Sequence, residues 1–472
     1  MIRTKIVATL GPASDSSEMI GRLIEAGVDV FRLNFSHGTL EQHARTYERI
    51  RQVRRERGSM AAVMGDLCGP KIRVDPVEDD GFEIAQGDRI EIVADHLVGH
   101  GGRISTNRPE LVGEVQIGHR ILIDDGMVQL RVNQTHDDRL VCVCEVGGTI
   151  RTRKGMNFPD SDLKMSAMTE KDREDLAWAL DNELDYIAMS FVRSAQDLQE
   201  LRELMPLSDV DCRVVAKIET TQAIEHLSGI IESADVVLVA RGDLGVEMDL
   251  AQVPLLQKRI VKRCQEAAKP VIIATQMLQS MVEQPTATRA EVSDVANAIL
   301  DAADGVMLSA ETSVGAYPTE SVRMMTRIAD KTESYLQERN QTARIDVTKT
   351  MRRITTAVAH GASLLARELN AKLVGVWTET GNTARLLSKT RLNTMVVGLS
   401  PDEHVCRRMS MYYGVIPVQL ARKQDVPSML RELDALFLDR ELVDRGDLLV
   451  VIAGTRLEEE GATNALLIHL VG

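Results

Sequence analysis

Aromatic side chains are scarce in this sequence. Phe, Trp and Tyr make up 3% of its 472 residues, although 44% of the residues are hydrophobic. Aliphatic side chains and the 21 Met residues must therefore fill the interior. No hydrophobic run approaches the roughly 20 residues that a membrane-spanning helix needs. A chain of this length is expected to form about three domains of ordinary size.

Positive charge is also in deficit. The chain has 56 Lys and Arg against 70 Asp and Glu, which gives a net charge of −14. A negative field of this kind repels nucleic acid and anionic membranes, so we expect neither as a partner. A local cluster of cations could still hold a small anionic substrate.

The sequence lacks the cysteine pairs that are typical of metal and redox sites. Its six Cys residues form no Cys-x-x-Cys pair, and most lie in hydrophobic runs such as LVCVCEV. We interpret them as buried free thiols in a reducing compartment. The stretch MIRTKIVATLGP has no signal-peptide pattern, so we expect a cytoplasmic protein.

Eight short hydrophobic runs recur along the chain, each ends in polar residues, and helical segments lie between most of them. The runs are residues 5–12, 30–38, 61–67, 186–193, 213–219, 236–243, 271–277 and 305–312. Eight strands that alternate with helices predict an α/β fold, a closed (β/α)₈ TIM barrel. Continuously hydrophobic strands fit a barrel because both of their faces are covered. An open doubly wound sheet is the alternative, but it has no reason to stop at eight strands.

Two parts of the chain depart from this pattern. Residues 74–166 alternate in hydrophobicity and carry hairpin signals such as Asp125-Gly126, which predict a small all-β lid domain, a β-barrel inserted in the third barrel loop. Residues 341–472 show a new helix–strand pattern, which predicts a C-terminal α/β regulatory domain. The catalytic barrel is then predicted to comprise residues 1–73 and 167–340.

The polar residues that end the runs are the candidates for an active site, because barrel enzymes build it at the carboxyl ends of the strands. Several are spaced i, i+2, which predicts that both side chains share one face of a strand. The pairs are Asn34/Ser36, Lys217/Glu219, Arg241/Asp243 and Ser309/Glu311.

Glu219 and Asp243 end consecutive predicted strands, which should lie about 4.8 Å apart. Two carboxylates with other positions left to water and substrate are typical of Mg²⁺, and Mn²⁺ accepts the same ligands. The alternative is a structural ion network in which the two acids pair with Arg241 and Lys217. Both interpretations stay open at this point.

Positive side chains surround this pair. Lys217 precedes Glu219 by two residues, and Arg32, His37 and Arg73 add further positive charge on the first three strands. A Lys beside a metal is a poor general base but stabilises a phosphoryl group in transfer. The chain has no Walker loop and no Gly-x-Gly-x-x-Gly motif. We therefore expect a small phosphorylated substrate in a cationic bowl.

These motifs resemble the signature blocks of the pyruvate kinase family. The blocks are RTKIVATLGPAS, FRLNFSHG, AKIE, ARGDLGVE, ATQMLQSM and TRAEVSDVANAILDAADGVMLSAET, in family order over nearly the whole chain. The resemblance implies phosphoryl transfer from phosphoenolpyruvate to ADP, which gives pyruvate and ATP as the last step of glycolysis. It also implies a homotetramer that uses Mg²⁺ or Mn²⁺.

The resemblance also implies roles for individual residues. Glu219 and Asp243 would hold the divalent ion. The substrate would be bound by Arg32, Lys217, Gly242, Asp243 and Thr275. The nucleotide would be bound by Asn34, His37, Arg73 and Lys171. The catalytic residues would be Lys217, Arg32, Thr275, Ser309 and Glu311, with Thr275 on the face where the enolate is protonated and the last two in the proton relay.

The stretch GDLCGPKIR at residues 65–73 departs from the family pattern Asp-Thr-Lys-Gly-Pro-Glu-Ile-Arg. In the family this Asp and Thr, with the Asn and Ser of the second strand, bind K⁺. Here Leu67 and Lys71 replace the Thr and the Glu. We expect the ammonium of Lys71 to replace the ion beside Asn34, Ser36 and Asp66, so that K⁺ is not required, as in a potassium-independent group of the family. The alternative is a solvated Lys on a loop.

The stretch TETGNT (378–383) follows a predicted strand and begins a helix, which is a favourable place for an anion. The resemblance implies that Thr378, Thr380, Gly381, Asn382 and Thr383 hold the phosphate of an allosteric activator. Negative charge at Glu379 and in EEEG (458–461) disfavours a bisphosphate, so we favour AMP or a sugar monophosphate. The alternative is that there is no effector.

Two other functions compete with a kinase. A Mg²⁺-dependent oxo-acid aldolase would share the carboxylates but would not need the lid, the C-terminal domain or Lys217. A non-catalytic sensor would be expected to have lost some of Lys217, Glu219, Asp243 and Thr275, and all four are present.

Overall fold

The computed structural model describes residues 2–205, 212–338, 353–454 and 463–472. The chain begins with β1 (Lys5–Thr9), α1 (Ser17–Ala26), β2 (Val30–Asn34), α2 (Leu40–Arg57) and β3 (Ala62–Asp66). It continues with β4 (Gly81–Ile84), β5 (Arg89–Val93), β6 (Arg103–Ser105), β7 (Arg120–Ile123), β8 (Val128–Thr135), β9 (Arg139–Val146), β10 (Gly148–Arg151) and β11 (Met156–Asn157).

The chain then returns to alternating helices and strands. These are α3 (Glu170–Asp181), β12 (Tyr186–Met189), α4 (Ala195–Leu204), β13 (Arg213–Ile218), α5 (Thr221–Glu225), α6 (Leu227–Ser233), β14 (Val236–Ala240), α7 (Arg241–Glu247), α8 (Val253–Glu266), β15 (Val271–Ala274), α9 (Arg289–Leu300), β16 (Gly305–Leu308), α10 (Ala310–Ser313) and α11 (Pro318–Glu338). The last part contains α12 (Arg353–Glu368), β17 (Leu373–Trp377), α13 (Asn382–Ser388), β18 (Met395–Ser400), α14 (Glu403–Met409), β19 (Val415–Gln419), α15 (Val426–Asp439), β20 (Leu448–Gly454) and β21 (Thr463–Leu470).

Eight parallel strands close into a barrel in the order β1-β16-β15-β14-β13-β12-β3-β2. They are the eight runs that the sequence singled out, so the predicted TIM barrel is confirmed and the open sheet is excluded. Almost every strand residue is buried. Local signals begin and end the surrounding helices: the Ser16 hydroxyl caps α1, Gly27 ends it in the left-handed region at φ 118°, and Thr288 and Glu291 form a capping box on α9.

An aspartate stands immediately before every second strand of the barrel, at the end opposite the predicted site. The four are Asp29, Asp185, Asp235 and Asp304. Each accepts the backbone N–H of a residue at or next to the start of the preceding barrel strand, at 2.8–2.9 Å, from Ile6, Val63, Val214 and Val271 respectively. Each also meets cations. This repeat fastens neighbouring strands together at the bottom of the barrel.

The C-terminal domain docks on this bottom face through some of the same aspartates. Arg407 of α14 donates to Asp185 at 2.8 Å. Lys389, whose side chain is 0% exposed, pairs with Asp304, and Arg391 approaches the other oxygen of Asp304 at 3.2 Å. Cations of one domain thus neutralise buried acids of the other.

The lid is all-β, as predicted, but its strands form two open sheets and not the expected β-barrel, whereas the C-terminal domain has the predicted α/β architecture. Strands β4–β11 form a six-stranded sheet and a two-stranded sheet around their own hydrophobic core. The C-terminal sheet has the order β19-β18-β17-β20-β21, in which only β21 is antiparallel. The predicted domain bounds stay a prediction, and the bound at 340/341 lies outside the described residues.

The prediction that both side chains share one face of a strand is wrong for three of the four i, i+2 pairs: Ser36 lies in a turn beyond the end of β2, and two other pairs lie at the starts of helices. Arg241 and Asp243 lie in the first turn of α7, and Ser309 and Glu311 lie at the start of α10. A helix turns by about 100° per residue, so side chains two residues apart point in different directions. Strand periodicity therefore fails where a barrel strand passes directly into a helix.

No helix in the described part of the chain combines the length and the hydrophobicity that crossing a bilayer requires. The six cysteines are free, as predicted, and all except the half-buried Cys68 are buried. The cytoplasmic location stays a prediction.

Candidate active site

A cavity of about 120 Å³ lies at the carboxyl ends of the barrel strands; we call it the barrel-mouth cavity. It brings together most of the predicted site residues from distant parts of the chain. The predicted residues that line it are Arg32, Asn34, Ser36, His37, Asp66, Lys71, Lys217, Glu219, Asp243, Thr275 and Ser309.

Lys217 lies at the centre of the charged side chains in this cavity. Its ammonium donates to Ser190 Oγ at 2.7 Å, and it lies 2.9 Å from Glu219 Oε1 and 3.3 Å from Asp66 Oδ1. The other oxygen of Asp66 accepts from Arg32 Nε at 2.6 Å. Two cations and two carboxylates thus alternate, and all four are nearly buried.

The surroundings set the charge of these groups. Burial lowers the pKa of Lys217, but the neighbouring Asp66 and Glu219 raise it by more, so the ammonium stays charged at neutral pH. Burial raises the pKa of Asp66, whereas Lys217 and Arg32 lower it by more, so the carboxylate stays ionised. Lys217 is therefore a fixed positive charge and not a base.

Glu219 and Asp243 are placed where they can share a cation. Burial raises the pKa of Glu219, and the charge of Asp243 raises it further despite Lys217. Within the described residues Asp243 forms no ion pair, whereas Arg241 pairs with Asp294 at 2.6 Å. Of the ion network that is the alternative to a metal site, only the half around Glu219 is thus present. A divalent cation would relieve the repulsion between two oxygen donors of this kind, so the residues fit Mg²⁺.

Thr275 and Gly242 contact each other beside this pair. The Gly242 N–H donates to Thr275 Oγ1 at 2.6 Å, and that hydroxyl donates to Ala274 O at 2.6 Å. Thr275 has φ 70° and Gln276 has φ 52°, a left-handed conformation that is uncommon for residues with a side chain. Such strain concentrates at functional sites. The N–H of Gly242, a residue predicted to bind substrate, thus already donates to a side-chain hydroxyl.

Glu311 is held away from the cavity. Its two carboxylate oxygens accept the backbone N–H groups of Leu278, at 3.0 Å, and Ser309, at 2.7 Å, and it is 1% exposed. It does not line the barrel-mouth cavity, whereas Ser309 does. Its contacts fix the loop after β15 and the end of β16.

A second cavity, of about 320 Å³, lies between the barrel and the lid; we call it the lid cleft. It adjoins the first cavity, because Lys71, Phe191 and Asp243 line both. Arg73 lines only the lid cleft and donates to Arg153 O at 2.8 Å. Lys171 lines neither; its ammonium contacts Asp175 and the carbonyl of Phe35. The residues predicted to bind the nucleotide therefore do not all line the same cavity.

The loop at residues 378–383, which is predicted to bind an effector, forms hydrogen bonds within itself and to β21. Thr378 Oγ1 accepts the Gly381 N–H at 3.0 Å, and Thr383 Oγ1 lies 2.8 Å from the hydroxyl of Thr463. Glu379, whose charge suggested a monophosphate, is paired with Arg422 at 2.8 Å. Its charge is thus largely compensated. EEEG (458–461) lies outside the described residues.

Several residues that support the site are not among those predicted from the sequence. Ser190 accepts from Lys217 and donates to Leu67 O at 2.8 Å. Thr9 accepts from Arg32 at 3.0 Å. Phe191 donates its N–H to Glu219 at 2.8 Å. Their positions in the sequence could have indicated this role, because Thr9, Ser190 and Phe191 all stand at or just beyond the end of a barrel strand.

Comparison with known proteins agrees with this architecture. The sequence matches the family models for "Pyruvate kinase, barrel domain" over residues 1–322 and "Pyruvate kinase, alpha/beta domain" over residues 356–469. It is 38% identical, over 477 aligned residues, to the pyruvate kinases of Staphylococcus aureus strains USA300 and bovine RF122, and the alignments cover 100% of this chain and 81% of each relative.

The fold comparison points the same way. The crystal structure of a pyruvate kinase from Cryptosporidium parvum superposes with a TM-score of 0.92 at 33% identity, covering 100% of this chain and 96% of that one. The chain is therefore a phosphotransferase that belongs to the pyruvate kinase family.

Proposed function

We propose that this protein transfers the phosphoryl group of phosphoenolpyruvate to ADP and so forms pyruvate and ATP. The observation that supports this most strongly is the Lys217 ammonium, which lies beside Asp66 and Glu219 in a cavity that Arg32 and Asp243 also line. A fixed positive charge at that place attracts a phosphoryl group and stabilises it during transfer.

In the proposed reaction the bond between phosphorus and the enol oxygen breaks, and a bond to an oxygen of the terminal ADP phosphate forms. Arg32 and Lys217 hold the charge of the phosphoryl group while it moves. Glu219 and Asp243 would hold Mg²⁺ or Mn²⁺, which neutralises substrate charge and orients the substrate. The enolate that remains takes a proton at carbon, for which the Thr275 hydroxyl, with Ser309 nearby, is the proposed route.

The proposal is tested by measuring pyruvate formation from phosphoenolpyruvate and ADP with Mg²⁺, with and without a chelator. We expect activity with Mg²⁺ and its loss with EDTA. Formation of pyruvate from a longer oxo acid, with none from phosphoenolpyruvate, would favour the aldolase instead. Absence of any turnover would favour the sensor.

We further propose that Lys71 replaces a monovalent cation, so that K⁺ is not required. Lys71 lines the barrel-mouth cavity together with Asn34, Ser36 and Asp66, which supports the proposal. Its ammonium forms no ion pair within the described residues, so its charge is available to the cavity. Asp66 already contacts Arg32 and Lys217, which means that Lys71 would act through space and not by a direct contact.

In buffers free of K⁺, Na⁺ and NH₄⁺, we expect the native protein to be as active as in K⁺. Lys71→Glu should lower the rate by roughly 10²-fold without K⁺, because a stabilising charge is reversed. Lys164→Glu, the same change at an exposed position of the chain, is the control. A native rate that depends strongly on K⁺ would contradict the role of Lys71 and leave the kinase proposal intact.

For regulation, we propose that the loop of Thr378, Thr380, Gly381, Asn382 and Thr383 binds a phosphorylated effector. The hydroxyls and the start of α13 support this, but the pairing of Glu379 weakens the preference for a monophosphate. Titrating AMP, a sugar monophosphate and a sugar bisphosphate into the assay tests it. An unchanged dependence of rate on phosphoenolpyruvate with all three would contradict it.

We also propose a homotetramer. Two surfaces on different domains expose large hydrophobic side chains: Leu250 and Leu255 are 73% and 67% exposed, and Ile468 and Leu470 of the edge strand β21 are 56% and 62% exposed. Two self-complementary interfaces generate a tetramer with three two-fold axes. Light scattering should give four times the 52.2 kDa chain mass, and a monomer would contradict the proposal.

A further inference from the structure

Glu247 joins three segments that meet beside the active site. It is the last residue of α7, one helical turn after Asp243. Its Oε1 accepts the side-chain amide of Asn157 at 3.2 Å, and its Oε2 accepts the backbone N–H of Thr221 at 3.1 Å. Both carboxylate oxygens are therefore in use.

The two donors come from elements with different tasks. Asn157 belongs to β11, the last strand of the lid, and it lines the lid cleft together with Glu247. Thr221 begins α5, two residues after Glu219. One carboxylate thus connects the lid to the segments that carry Glu219 and Asp243.

The surroundings of Glu247 argue against a merely structural ion pair. It is half-buried, and no cation pairs with it in the described ranges of the chain. Glu219 and Asp243 interact with it unfavourably, and Arg120, which also senses its charge, is paired with Asp160 at 2.7 Å. A buried carboxylate without a counter-ion is costly, so its two hydrogen bonds are its main local compensation.

We propose that Glu247 is a positioning residue that sets the relative placement of Glu219 and Asp243 and transmits lid position to them through Asn157. The proposal rests on the proposed function. Glu247 itself need not touch the metal ion or the substrate. Its contribution is to hold the backbone after Glu219 and the helix that carries Asp243 at a fixed separation, which a divalent cation needs.

The chain offers variants that separate the two connections. Glu247→Gln keeps the size of the side chain but replaces one acceptor oxygen by an N–H₂ group, which only donates. The Gln side chain therefore cannot keep both the bond from Thr221 and the bond from Asn157. Asn157→Ala removes only the lid connection. Glu247→Asp keeps both acceptors on a shorter stem. Glu232→Gln, at an exposed position of α6, is the matched control.

The first readout is Mn²⁺ binding to the full-length protein without substrates, followed by electron paramagnetic resonance. We expect Glu247→Gln to weaken binding about 10-fold, as removal of an outer hydrogen bond to a metal site does. Asn157→Ala and Glu232→Gln should bind Mn²⁺ like the native protein. Native affinity in both Glu247→Gln and Glu247→Asp would overturn the proposal.

The second readout is steady-state kinetics, which separates an effect on the KM for ADP from an effect on kcat. Asn157→Ala should raise the KM for ADP several-fold, and adding Glu247→Gln should raise it little further, because both changes break the same connection. Fully independent effects would overturn the lid part. Failure of the proposed function is distinguishable, since the native protein itself would then form no pyruvate.

Discussion

Lys217→Met is expected to lower kcat for pyruvate formation by about 10³-fold or more, the range seen when a cation that stabilises a transferring phosphoryl group is removed. The side chain is 9% exposed and lies among Asp66, Glu219 and Ser190. Met fills nearly the same space but supplies no charge. The phosphoryl group would then face Asp66 and Glu219 without the cation that lies between them.

The measurement is steady-state kinetics over a range of phosphoenolpyruvate, together with Mn²⁺ binding. Metal binding should survive, because Glu219 and Asp243 are unchanged. Lys331→Met on α11, where the side chain is 85% exposed, is the control and should retain native rates. A Lys217→Met protein that is folded, binds Mn²⁺ and turns over within about 10-fold of the native rate would show that the charge at Lys217 does not carry the catalysis assigned to it.

Asp304→Asn is expected to destabilise the protein by about 3–5 kcal/mol, the usual cost of removing one partner from a buried ion pair. Burial lowers the pKa of Lys389, whose side chain is 0% exposed, to about 8, and Asp304 is the acid that counteracts this; without it a buried amine has no partner, and Arg391 loses one of its acceptors, 3.2 Å away. For domains of this size the melting temperature should fall by roughly 6–20 °C. Asp330→Asn, a 53% exposed acid on α11, should change it little.

A compensating change makes this prediction sharper. Adding Lys389→Met to Asp304→Asn removes the unpaired buried amine, and hydrophobic replacement of both partners is often neutral. Part of the lost stability should therefore return, although the ion pair of Arg391 with residue 304 is still missing. A double variant as unstable as Asp304→Asn alone would place the cost in the hydrogen bonds that Asp304 accepts from Val271 N, at 2.8 Å, and Arg391, at 3.2 Å, of which Asn can keep one, and not in Lys389.

The barrel could be predicted because its signal is local and repeated. Strands covered on both faces must be hydrophobic throughout, as in VVLVA of β14, and the loops that join them to helices carry polar side chains. The aspartates before alternate strands are also visible in the sequence, as in LDY, ADV and ADG, but their partners are not. Without the fold nothing indicated that each reaches the backbone of the strand beside it.

Which residues form the candidate site could be predicted from the sequence, but their contacts could be predicted less well. Charge type and position at strand ends selected Lys217, Glu219 and Asp243, which do line one cavity. Which charged side chains pair with each other was harder to predict, because Arg241 pairs with Asp294, 53 positions away in the chain. Glu311 had the right position but turns both oxygens to backbone N–H groups.

The sequence by itself determined the family, the closed barrel and the charged residues of the site, because these depend on hydrophobic period and on residue type. The tertiary structure alone decided the partners: Lys217 with Ser190, Glu247 with Asn157 and Lys389 with Asp304. Each of these contacts joins residues that are 27 to 90 positions apart. Hydrogen bonds and ion pairs act over a few ångströms, so only the path of the folded backbone determines which of many polar side chains meet.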